Sequence, residues 1–425
     1  MPAPGAETVN LAELDAAHVI HPHAVVGSPA PPVIWARGRG ATLWDADGKE
    51  YVDGTCGLWQ CAVGHGREEL ARVAAEQMAQ LEFYASFWNF ANEPSIRLAA
   101  RLAELSPPGL DQVFFTNGGS EGTETAIKLA RLAWHAQGEP ERTLILSRKS
   151  AYHGVGSASL AATGIPPLKE GFGPLPPGFV HLSTPTSRSN TDELVAELRA
   201  VIDEHGAGRI AAFIGEPVLG VGGMIPPPDG YWPRVQEVLR EHGILLVLDE
   251  IVTAYGRTGH WFAAEKYRLD PDLVVTAKAI TSGYVPMGAV LVHDRVVALL
   301  EGTLFRHGFT YNGHPVGAAV ALANLAIIER EGLLERAAAV GARMLERLKP
   351  VEELECVAEA RGVGLMLGVE LEEGIDAGPV AAAALERGVV VRASGQKIVM
   401  SPPLVIEAEQ ADRVVDTVLD SLGEL

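Results

Sequence analysis

The stretch that decides the fold is residues 244–278, which read ILLVLDEIVTAYGRTGHWFAAEKYRLDPDLVVTAK. It contains two short apolar runs, 244–248 and 273–275, of the kind that form buried strands. Asp249 ends the first run, and Lys278 follows the second. A carboxylate or an ammonium group at a buried strand end is unfavourable unless it is paired or used chemically, so both residues are candidates for a functional site.

The alternation of apolar runs with helical segments extends through the middle of the chain. Other apolar runs that predict strands lie at 113–115, 144–146 and 210–214. A helix candidate between two of them places Thr123, Ile127 and Trp134 on one face. Alternating strands and helices predict an α/β fold with a mostly parallel sheet that is covered on both sides.

Each predicted strand is followed by polar or glycine-rich residues. These segments are 116–122, 147–154, 215–217, 249–250 and 276–278. Ligands of a parallel sheet bind beyond the carboxyl ends of its strands. We therefore expect the five segments to meet at one edge of the sheet and to form the site there.

The composition excludes several classes of protein. The chain has 425 residues, with 34 basic and 54 acidic side chains and a net charge of −20, which argues against a nucleic-acid partner. Its three cysteines are too few for a disulfide framework, and no cysteine or histidine cluster has zinc-site spacing. The sequence shows no secretory signal and no apolar stretch of membrane-spanning length. We expect a cytoplasmic protein of two or three domains, with no metal site and no membrane partner.

The glycine-rich segment at 118–122 has three interpretations. As a G-x-S-x-G match it is typical of a nucleophile elbow, with Ser120 as the nucleophile, Asp249 as the acid and His307 or His314 as the base. As a turn that opens a helix, it predicts an anion site made of backbone N–H groups and the Ser120 hydroxyl. It can also be an ordinary tight turn.

Asp249 and Lys278 also have structural alternatives. Asp249 could form an ion pair with Arg257, and Lys278 could extend to the surface. Together with the anion site and the aromatic ring of Tyr152, however, they match the requirements of pyridoxal 5′-phosphate. This cofactor needs its phosphate held, its ring stacked, its pyridine nitrogen kept protonated and its aldehyde bound to a lysine.

The chain also resembles a known family, the class III (omega) aminotransferases of pyridoxal-phosphate fold type I. The resemblance covers nearly the whole chain, from WDADG at 44–48 to PPL at 402–404. Its most specific motifs are LDEIV at 248–252, GRTG at 256–259, AK at 277–278 and GYVPMGA at 283–289. It implies a large domain, residues 61–312, with a mostly parallel seven-stranded sheet. Residues 1–60 and 313–425 would form a smaller α+β domain.

The resemblance implies a cofactor-binding role for each matching residue. Lys278 would hold the cofactor aldehyde as a Schiff base, the internal aldimine, and Asp249 would pair with the ring nitrogen. The other implied roles are phosphate contacts for Gly119 and Ser120, ring stacking for Tyr152 and Ile251, and a position near the phenolic oxygen for Glu216.

The segment HGFTY at 307–311 resembles the family segment that crosses a dimer interface. By this resemblance, Thr310 contacts the phosphate that is bound by the neighbouring subunit. The active unit would then be a homodimer, with a tetramer as the larger alternative.

The substrate pocket is implied by four residues. Trp59, Phe87 and Trp88 resemble the aromatic pocket walls of amine and omega-amino-acid transaminases. Arg392 resembles the arginine that clamps a substrate carboxylate, and its structural alternative is a surface salt bridge. Ornithine-type relatives neutralise this arginine with a glutamate, whereas the matching residue here is Val221. The nearest branch is therefore the omega-amino acid:pyruvate one, and it stays open whether Arg392 clamps a carboxylate or swings away.

Two pairs of residues depart from the family pattern. Gly122 and Thr123 replace the usual Ala-Asn beside the phosphate site, and Ala254 and Tyr255 replace the usual Gly-Phe. In addition, the carboxylate of Glu121 in the first helical turn mildly opposes a phosphate. None of these residues is one of the four groups that carry the chemistry.

The predicted activity is that of a ping-pong aminotransferase. An amino group would move from an omega-amino acid, a diamine or another primary amine to a keto acid such as pyruvate, with Lys278 as the catalytic lysine. The alternatives are another fold-type-I reaction (an aminomutase or a decarboxylase), a serine hydrolase based on Ser120, and a binding protein without activity. The identity of the donor and acceptor stays open.

Overall fold

The computed structural model describes residues 10–28 and 31–425, so residues 1–9 and 29–30 of the predicted N-terminal segment lie outside the described residues. The strands are β1 (Trp35–Arg39), β2 (Thr42–Asp45), β3 (Glu50–Asp53), β4 (Gln112–Thr116), β5 (Leu144–Arg148), β6 (Phe179–Leu182), β7 (Ile210–Gly215), β8 (Leu245–Asp249), β9 (Leu273–Thr276), β10 (Gly288–Val292), β11 (Val357–Val363), β12 (Met366–Leu371), β13 (Val389–Val390), β14 (Arg392–Ser394) and β15 (Lys397–Met400). The helices are α1 (Leu11–His18), α2 (Cys56–Trp59), α3 (Glu68–Gln80), α4 (Glu93–Leu105), α5 (Gly119–Ala136), α6 (Ser157–Ala162), α7 (Thr191–His205), α8 (Tyr231–Glu241), α9 (Ala263–Tyr267), α10 (Asp294–Leu299), α11 (Pro315–Arg330), α12 (Leu333–Leu348), α13 (Gly378–Glu386) and α14 (Ala408–Leu422). Within this part of the chain, no helix is long and apolar enough to span a membrane.

The central element is a seven-stranded sheet with the strand order β4-β10-β9-β8-β7-β5-β6. The strands from β9 to β6 pair in parallel, and β10 pairs antiparallel with both β4 and β9. The five apolar runs of the sequence form β4, β5, β7, β8 and β9, which confirms the predicted α/β fold with a mostly parallel sheet. Every residue of β7, β8 and β9 is buried, as expected for strands that are covered on both faces.

Alternate residues of one strand pack against opposite helical layers. Leu246 of β8 packs in a cluster with Trp232 of α8, whereas its neighbour Val247 packs in a different cluster with Ile127 of α5. This alternation follows from the two-residue period of a strand, since successive side chains point to opposite faces. Helices therefore cover both faces of the sheet, and α5 places its N-terminus at the carboxyl end of β4.

The sequence did not predict β6 or β10. The antiparallel direction of β10 has a simple cause, because only residues 277–287 lie between β9 and β10. Neighbouring parallel strands need a longer crossover connection, usually a helix, whereas a short link returns the chain in the opposite direction.

The two ends of the chain meet in smaller sheets. One sheet has the order β1-β2-β3-β13, in which β3 pairs in parallel with β13, and the other has the order β11-β12-β15-β14. The first sheet therefore joins residues 50–53 to residues 389–390. The exact domain boundaries at 60 and 312 stay predictions.

Candidate active site

A cavity of about 670 Å³ lies at the carboxyl ends of the parallel strands. Most of the sequence-predicted site residues line it, namely Trp59, Gly119, Ser120, Tyr152, Glu216, Asp249, Ile251, Lys278 and Arg392. They come from the segments that follow β4, β5, β7, β8 and β9, and from the terminal parts of the chain. The expected convergence of strand ends at one site is therefore present.

The N-terminus of α5 forms a close-packed cup. A Cβ atom on Gly119 would lie 2.6 Å from Cδ1 of Ile251, and one on Gly154 would lie 2.6 Å from Oγ of Ser120. The backbone N–H of Val155 donates to the Ser120 hydroxyl at 3.1 Å. Because the first N–H groups of a helix lack intrahelical acceptors, this cup can bind an anion.

The acidic residues beside the cup are bound to backbone donors. The carboxylate of Glu121 accepts a hydrogen bond from the N–H of Asn117 at 2.8 Å. The carboxylate of Glu124 accepts from the N–H groups of Ala158 and Ser159, both at 2.8 Å. These hydrogen bonds compensate both charges, and neither side chain lines the cavity.

Asp249 has a different partner from the one considered for it. Its carboxylate accepts a hydrogen bond from Nδ1 of His153 at 2.8 Å, and both side chains are buried. Arg257 instead donates to the carbonyls of Pro402 and Leu365, so the proposed ion pair between Asp249 and Arg257 is wrong. Among the described residues, Nε2 of His153 has no hydrogen-bond partner.

Glu216 is held by the backbone on two sides. Its carboxylate accepts from the N–H of Tyr152 at 3.0 Å and from the N–H of Gly220 at 2.8 Å. Burial raises the pKa of Glu216, and the negative charge of Asp249 raises this pKa further. The side chain is thus fixed at this edge of the cavity, close enough to Asp249 for the two carboxyl groups to interact electrostatically.

Lys278 lies in the cavity and is not a surface lysine. It begins a short 3-10 turn in a left-handed backbone conformation, with φ of 51°. Burial lowers the pKa of its ammonium group to about 8, although the carboxylates of Asp249 and Glu216 act in the opposite direction. A lysine with such a pKa has a substantial neutral fraction near physiological pH and can act as a nucleophile or a base.

Trp59 lies under both cations of the cavity. Nζ of Lys278 is 4.8 Å from its ring centroid, and the guanidinium carbon of Arg392 is 4.9 Å from it. The indole N–H donates to the hydroxyl of Ser401 at 3.1 Å and so holds the ring in place. Within the described chain, Arg392 forms no ion pair, which contradicts the alternative of a surface salt bridge, and burial lowers its pKa.

The geometry also contradicts the serine hydrolase alternative. Nε2 of His307 lies 2.9 Å from the hydroxyl of Thr125, and its ring stacks on Phe114. His314 packs against Phe83, and neither histidine lines the cavity. The elements of a nucleophile elbow are therefore not assembled around Ser120.

The sequence model of the aminotransferase class-III family matches residues 24–422. This chain belongs to the class-III aminotransferases. Its structure is similar to that of the (S)-enantioselective omega-transaminase from Thermomicrobium roseum, with a TM-score of 0.94 and 47% identity over 97% of this chain and 98% of the other. The omega-transaminase of Pseudomonas jessenii in complex with PMP also has a TM-score of 0.94, with 35% identity over 97% and 98% of the two chains.

Two relatives with named substrates are similar over most of their length. The putrescine–pyruvate aminotransferase of Pseudomonas aeruginosa is 39% identical over 404 residues, which are 90% of this chain and 88% of the relative. The diaminobutyrate–2-oxoglutarate transaminase of Halomonas elongata is 38% identical over 418 residues, which are 91% and 89% of the two chains.

The class-III aminotransferases use pyridoxal 5′-phosphate, and the residues of this cavity fit that group. The glycine cup at the start of α5 suits a phosphate, because neither Gly119 nor Gly154 has room for a side chain. The buried carboxylate of Asp249 suits a protonated ring nitrogen, since a buried anion needs a cationic partner. The lowered pKa of Lys278 suits a reaction with an aldehyde.

Three predicted site residues lie outside the active-site cavity. Phe87 and Trp88 line a separate cavity of about 800 Å³ together with His307, and Thr310 is exposed nearby. Trp88 is 86% exposed, which is exceptional for a tryptophan. Within one chain, these three residues do not contribute to the active-site cavity.

The departures from the family pattern have local explanations. A Cβ atom at Gly122 would lie 2.6 Å from Cγ1 of Val275, so alanine does not fit at this position of this aminotransferase. Tyr255 is buried away from the cavity, and its hydroxyl lies 2.9 Å from that of Thr276.

Sequence reasoning missed the functional partner of Asp249. His153 directly follows Tyr152 in the segment after β5, five residues beyond the end of the strand, so its position after a strand was a usable signal. It also missed the apolar lining from Leu58, Ile165 and Leu168, which belong to irregular segments without a repeating pattern.

Proposed function

We propose that this aminotransferase moves an amino group from a primary amine, a diamine or an omega-amino acid to a keto acid such as pyruvate. The observation that carries the proposal is the pair of cations over Trp59, because Lys278 suits the amine chemistry and Arg392 suits a carboxylate. The named substrates of the two relatives, putrescine with pyruvate and diaminobutyrate with 2-oxoglutarate, support the same classes of donor and acceptor.

Each cofactor group has a residue that would hold it. Gly119 and Ser120 would bind the phosphate, Asp249 the ring nitrogen and Lys278 the aldehyde carbon. The remaining contacts that we propose are the two ring faces for Tyr152 and Ile251 and the phenolic oxygen for Glu216. When bound, pyridoxal phosphate supplies an aldehyde that condenses with amines and a protonated ring that withdraws electrons.

Lys278 is the residue that moves protons in the proposed reaction. Its amine is partly neutral near pH 7.5, so its Nζ atom can accept a proton from the substrate carbon that carries the amino group. The ring of Trp59 beneath Nζ and the surrounding apolar side chains exclude water from this proton transfer. The hydrogen bond from Nδ1 of His153 holds the carboxylate of Asp249 in place during both half-reactions.

Arg392 is the proposed acceptor of the keto-acid carboxylate. Its guanidinium forms no ion pair within the described residues, whereas a partly buried guanidinium gains most from a bidentate carboxylate. Val221, at the position of the neutralising glutamate of ornithine-type relatives, is apolar and lines the same cavity. A donor with an apolar tail can therefore occupy the space that the carboxylate occupies in the other half-reaction.

We further propose that the active unit is a homodimer in the cytoplasm. The surface around Trp88 is rich in exposed apolar side chains, including Leu304 and Tyr311, and such patches mark interfaces. A second copy on this surface would bring Phe87, Trp88 and Thr310 to the neighbouring cavity. Sedimentation of the wild-type protein and of Trp88→Asp tests this, since we expect a dimer that the variant weakens, and a wild-type monomer with full activity would refute it.

A half-reaction screen tests the proposed activity. Cofactor-loaded protein is mixed with 1-phenylethylamine, putrescine or β-alanine, and the loss of cofactor absorbance near its visible maximum is followed; pyruvate should then restore it and yield alanine. Lys278→Ala should abolish both steps, and borohydride followed by peptide mapping should place the pyridoxyl group on Lys278. Turnover by Lys278→Ala, or absence of any half-reaction in the wild type, would contradict the proposal.

A further inference from the structure

The C-terminal sheet carries a row of residues that connects the substrate arginine to a buried loop. In this sheet, Arg361 of β11 pairs with Gly368 of β12, Gly368 pairs with Val399 of β15, and Val399 pairs with Arg392 of β14. Directly paired residues of antiparallel strands share one face of a sheet. Arg361 and Arg392 therefore lie at the two ends of one cross-strand row, about 14 Å apart at the usual strand spacing.

A loop of the large sheet packs on this row. The loop spans residues 219–225, and its ends pair through the backbone groups of Leu219 and Ile225 at 3.0 and 2.9 Å. It carries Val221, which lines the active-site cavity. Val221 and Met224 of the loop also pack in one apolar cluster with Val399 of the row and with Trp59.

The side chain of Arg361 binds the backbone at the tip of this loop. Its Nε and Nη2 groups both donate to the carbonyl of Gly223, at 3.2 and 3.0 Å, and the side chain is buried. Its remaining nitrogen, Nη1, donates to Glu359 at 2.8 Å and to Glu370, so its charge is compensated. The clamp is therefore a charge-assisted pair of hydrogen bonds away from bulk water.

The loop also packs so closely on the sheet that a side chain on Gly368 or on Gly223 would cause a steric clash. A Cβ atom on Gly368 would lie 2.7 Å from the same carbonyl oxygen of Gly223, and a Cβ atom on Gly223 would lie 2.3 Å from Cδ of Lys397. Arg361 and Gly368 thus contact the same carbonyl oxygen of the loop tip, Arg361 by hydrogen bonds and Gly368 by the close approach that its missing side chain allows. Neither residue touches the cavity.

We propose that Arg361 is a positioning residue that sets the width of the substrate cavity by fixing the loop at 219–225 relative to Arg392. The cavity has Val221 on the loop and Arg392 on the row among its walls, and Arg361 is the link between the two. A loop that shifts along the row would change the space for the tail of the amine donor, whereas Lys278 follows a different strand, β9, and would keep its position. This inference rests on the proposed transaminase activity.

Two independent substitutions disturb the same contact. Arg361→Gln removes the paired hydrogen bonds to the Gly223 carbonyl, and Gly368→Ala pushes that carbonyl away from the sheet. Arg361→Lys keeps the charge beside Glu359 and Glu370 and should restore part of the function. Glu359→Gln is the matched control, because it removes one ion-pair partner of Arg361 and leaves the loop carbonyl untouched.

The decisive measurement is donor selectivity in the loaded enzyme. The ratio of kcat/KM for 1-phenylethylamine to that for isopropylamine should change by about tenfold or more in Arg361→Gln and Gly368→Ala, as expected for a small misplacement of a wall. Glu359→Gln should keep the wild-type ratio, and amide exchange over residues 219–225 should be faster in Arg361→Gln. An unchanged ratio would overturn the proposal. If kcat/KM for both donors also falls by the same factor, the role of Arg361 is merely structural. A wild type that transaminates no amine would instead refute the proposed function, and amide exchange would still report on the clamp.

Discussion

Lys278 should titrate near pH 8 in the cofactor-free enzyme. Burial lowers the pKa of its ammonium group from 10.5 to about 8. At pH 7.5 about a quarter of these amines would be neutral, against about one in a thousand for a free lysine. Because only the neutral amine is nucleophilic, labelling of Lys278 should rise with pH to a midpoint near 8, well before labelling of an ordinary lysine.

Two substitutions of opposite sign test the origin of this pKa. Asp249→Asn removes a nearby negative charge that favours the ammonium form, so the midpoint should move below 8. Arg392→Met removes a nearby positive charge that disfavours this form, so the midpoint should move above 8. At an effective dielectric constant near 20, removal of one unit charge about 10 Å away should change the pKa of Lys278 by about one unit, which corresponds to about 1.4 kcal/mol.

The assay is a short acetylation pulse on cofactor-free protein between pH 6 and pH 11. Mass spectrometry quantifies the peptide that contains Lys278, and the same peptide in urea-unfolded protein supplies the reference at each pH. A midpoint above pH 10 in the folded protein would refute the reasoning. So would a shift in the same direction for Asp249→Asn and Arg392→Met, because the two charges act with opposite signs.

Three further predictions concern the supports of the site. His153→Leu leaves Asp249 without its 2.8 Å donor, and loss of a hydrogen bond to a charged group should slow the half-reaction by about ten- to a hundredfold. Gly154→Ala should weaken cofactor binding in a fluorescence titration by about tenfold or more, whereas Gly171→Ala, also at positive φ but with nothing within 4 Å, should leave it unchanged. Burial lowers the pKa of the His65 imidazole, but the interactions that stabilise its charged form, led by the hydrogen bond to the buried carboxylate of Asp53 at 2.8 Å, together outweigh burial and raise this pKa from 6.5 to about 10. Between these two pH values the folded state therefore binds a proton that the unfolded state lacks. The denaturant concentration at the unfolding midpoint of the cofactor-free protein should therefore decrease as the pH is raised from 6.5 to 10. In His65→Gln this concentration should depend less on pH.

Four of the predicted site residues that line the cavity share one property. Each of them follows a buried apolar run by one to six residues, so the strand that positions it is visible nearby in the sequence; the four are Tyr152, Glu216, Asp249 and Lys278. The topology of a parallel sheet then brings the strand ends together without further information. Fold class and the core of the site are predictable for this reason.

Short distance in sequence was a poor guide to the partner of Asp249. Arg257 lies only eight residues further along, yet the turn between them carries its guanidinium to the carbonyls of Leu365 and Pro402. His153 is 96 residues away and becomes the neighbour because β5 and β8 both pair with β7. Which polar groups pair inside a core depends on strand order, and neither composition nor periodicity contains that order.

The walls of the substrate cavity depend on register, which is harder still to obtain from sequence. Arg361, Gly368, Val399 and Arg392 come from four strands and share a face only in the observed pairing. A slip of β12 by one residue would replace Gly368 on this face with a large apolar side chain, because alternate residues of a strand point to opposite faces. The carbonyl of Gly223 would then have no place on the sheet, and Val221 would leave its position beside Trp59. If Arg361 positions the loop as proposed, the width of the substrate cavity depends on strand register, and substitutions far from the reacting atoms should change donor choice while the chemistry at Lys278 is preserved.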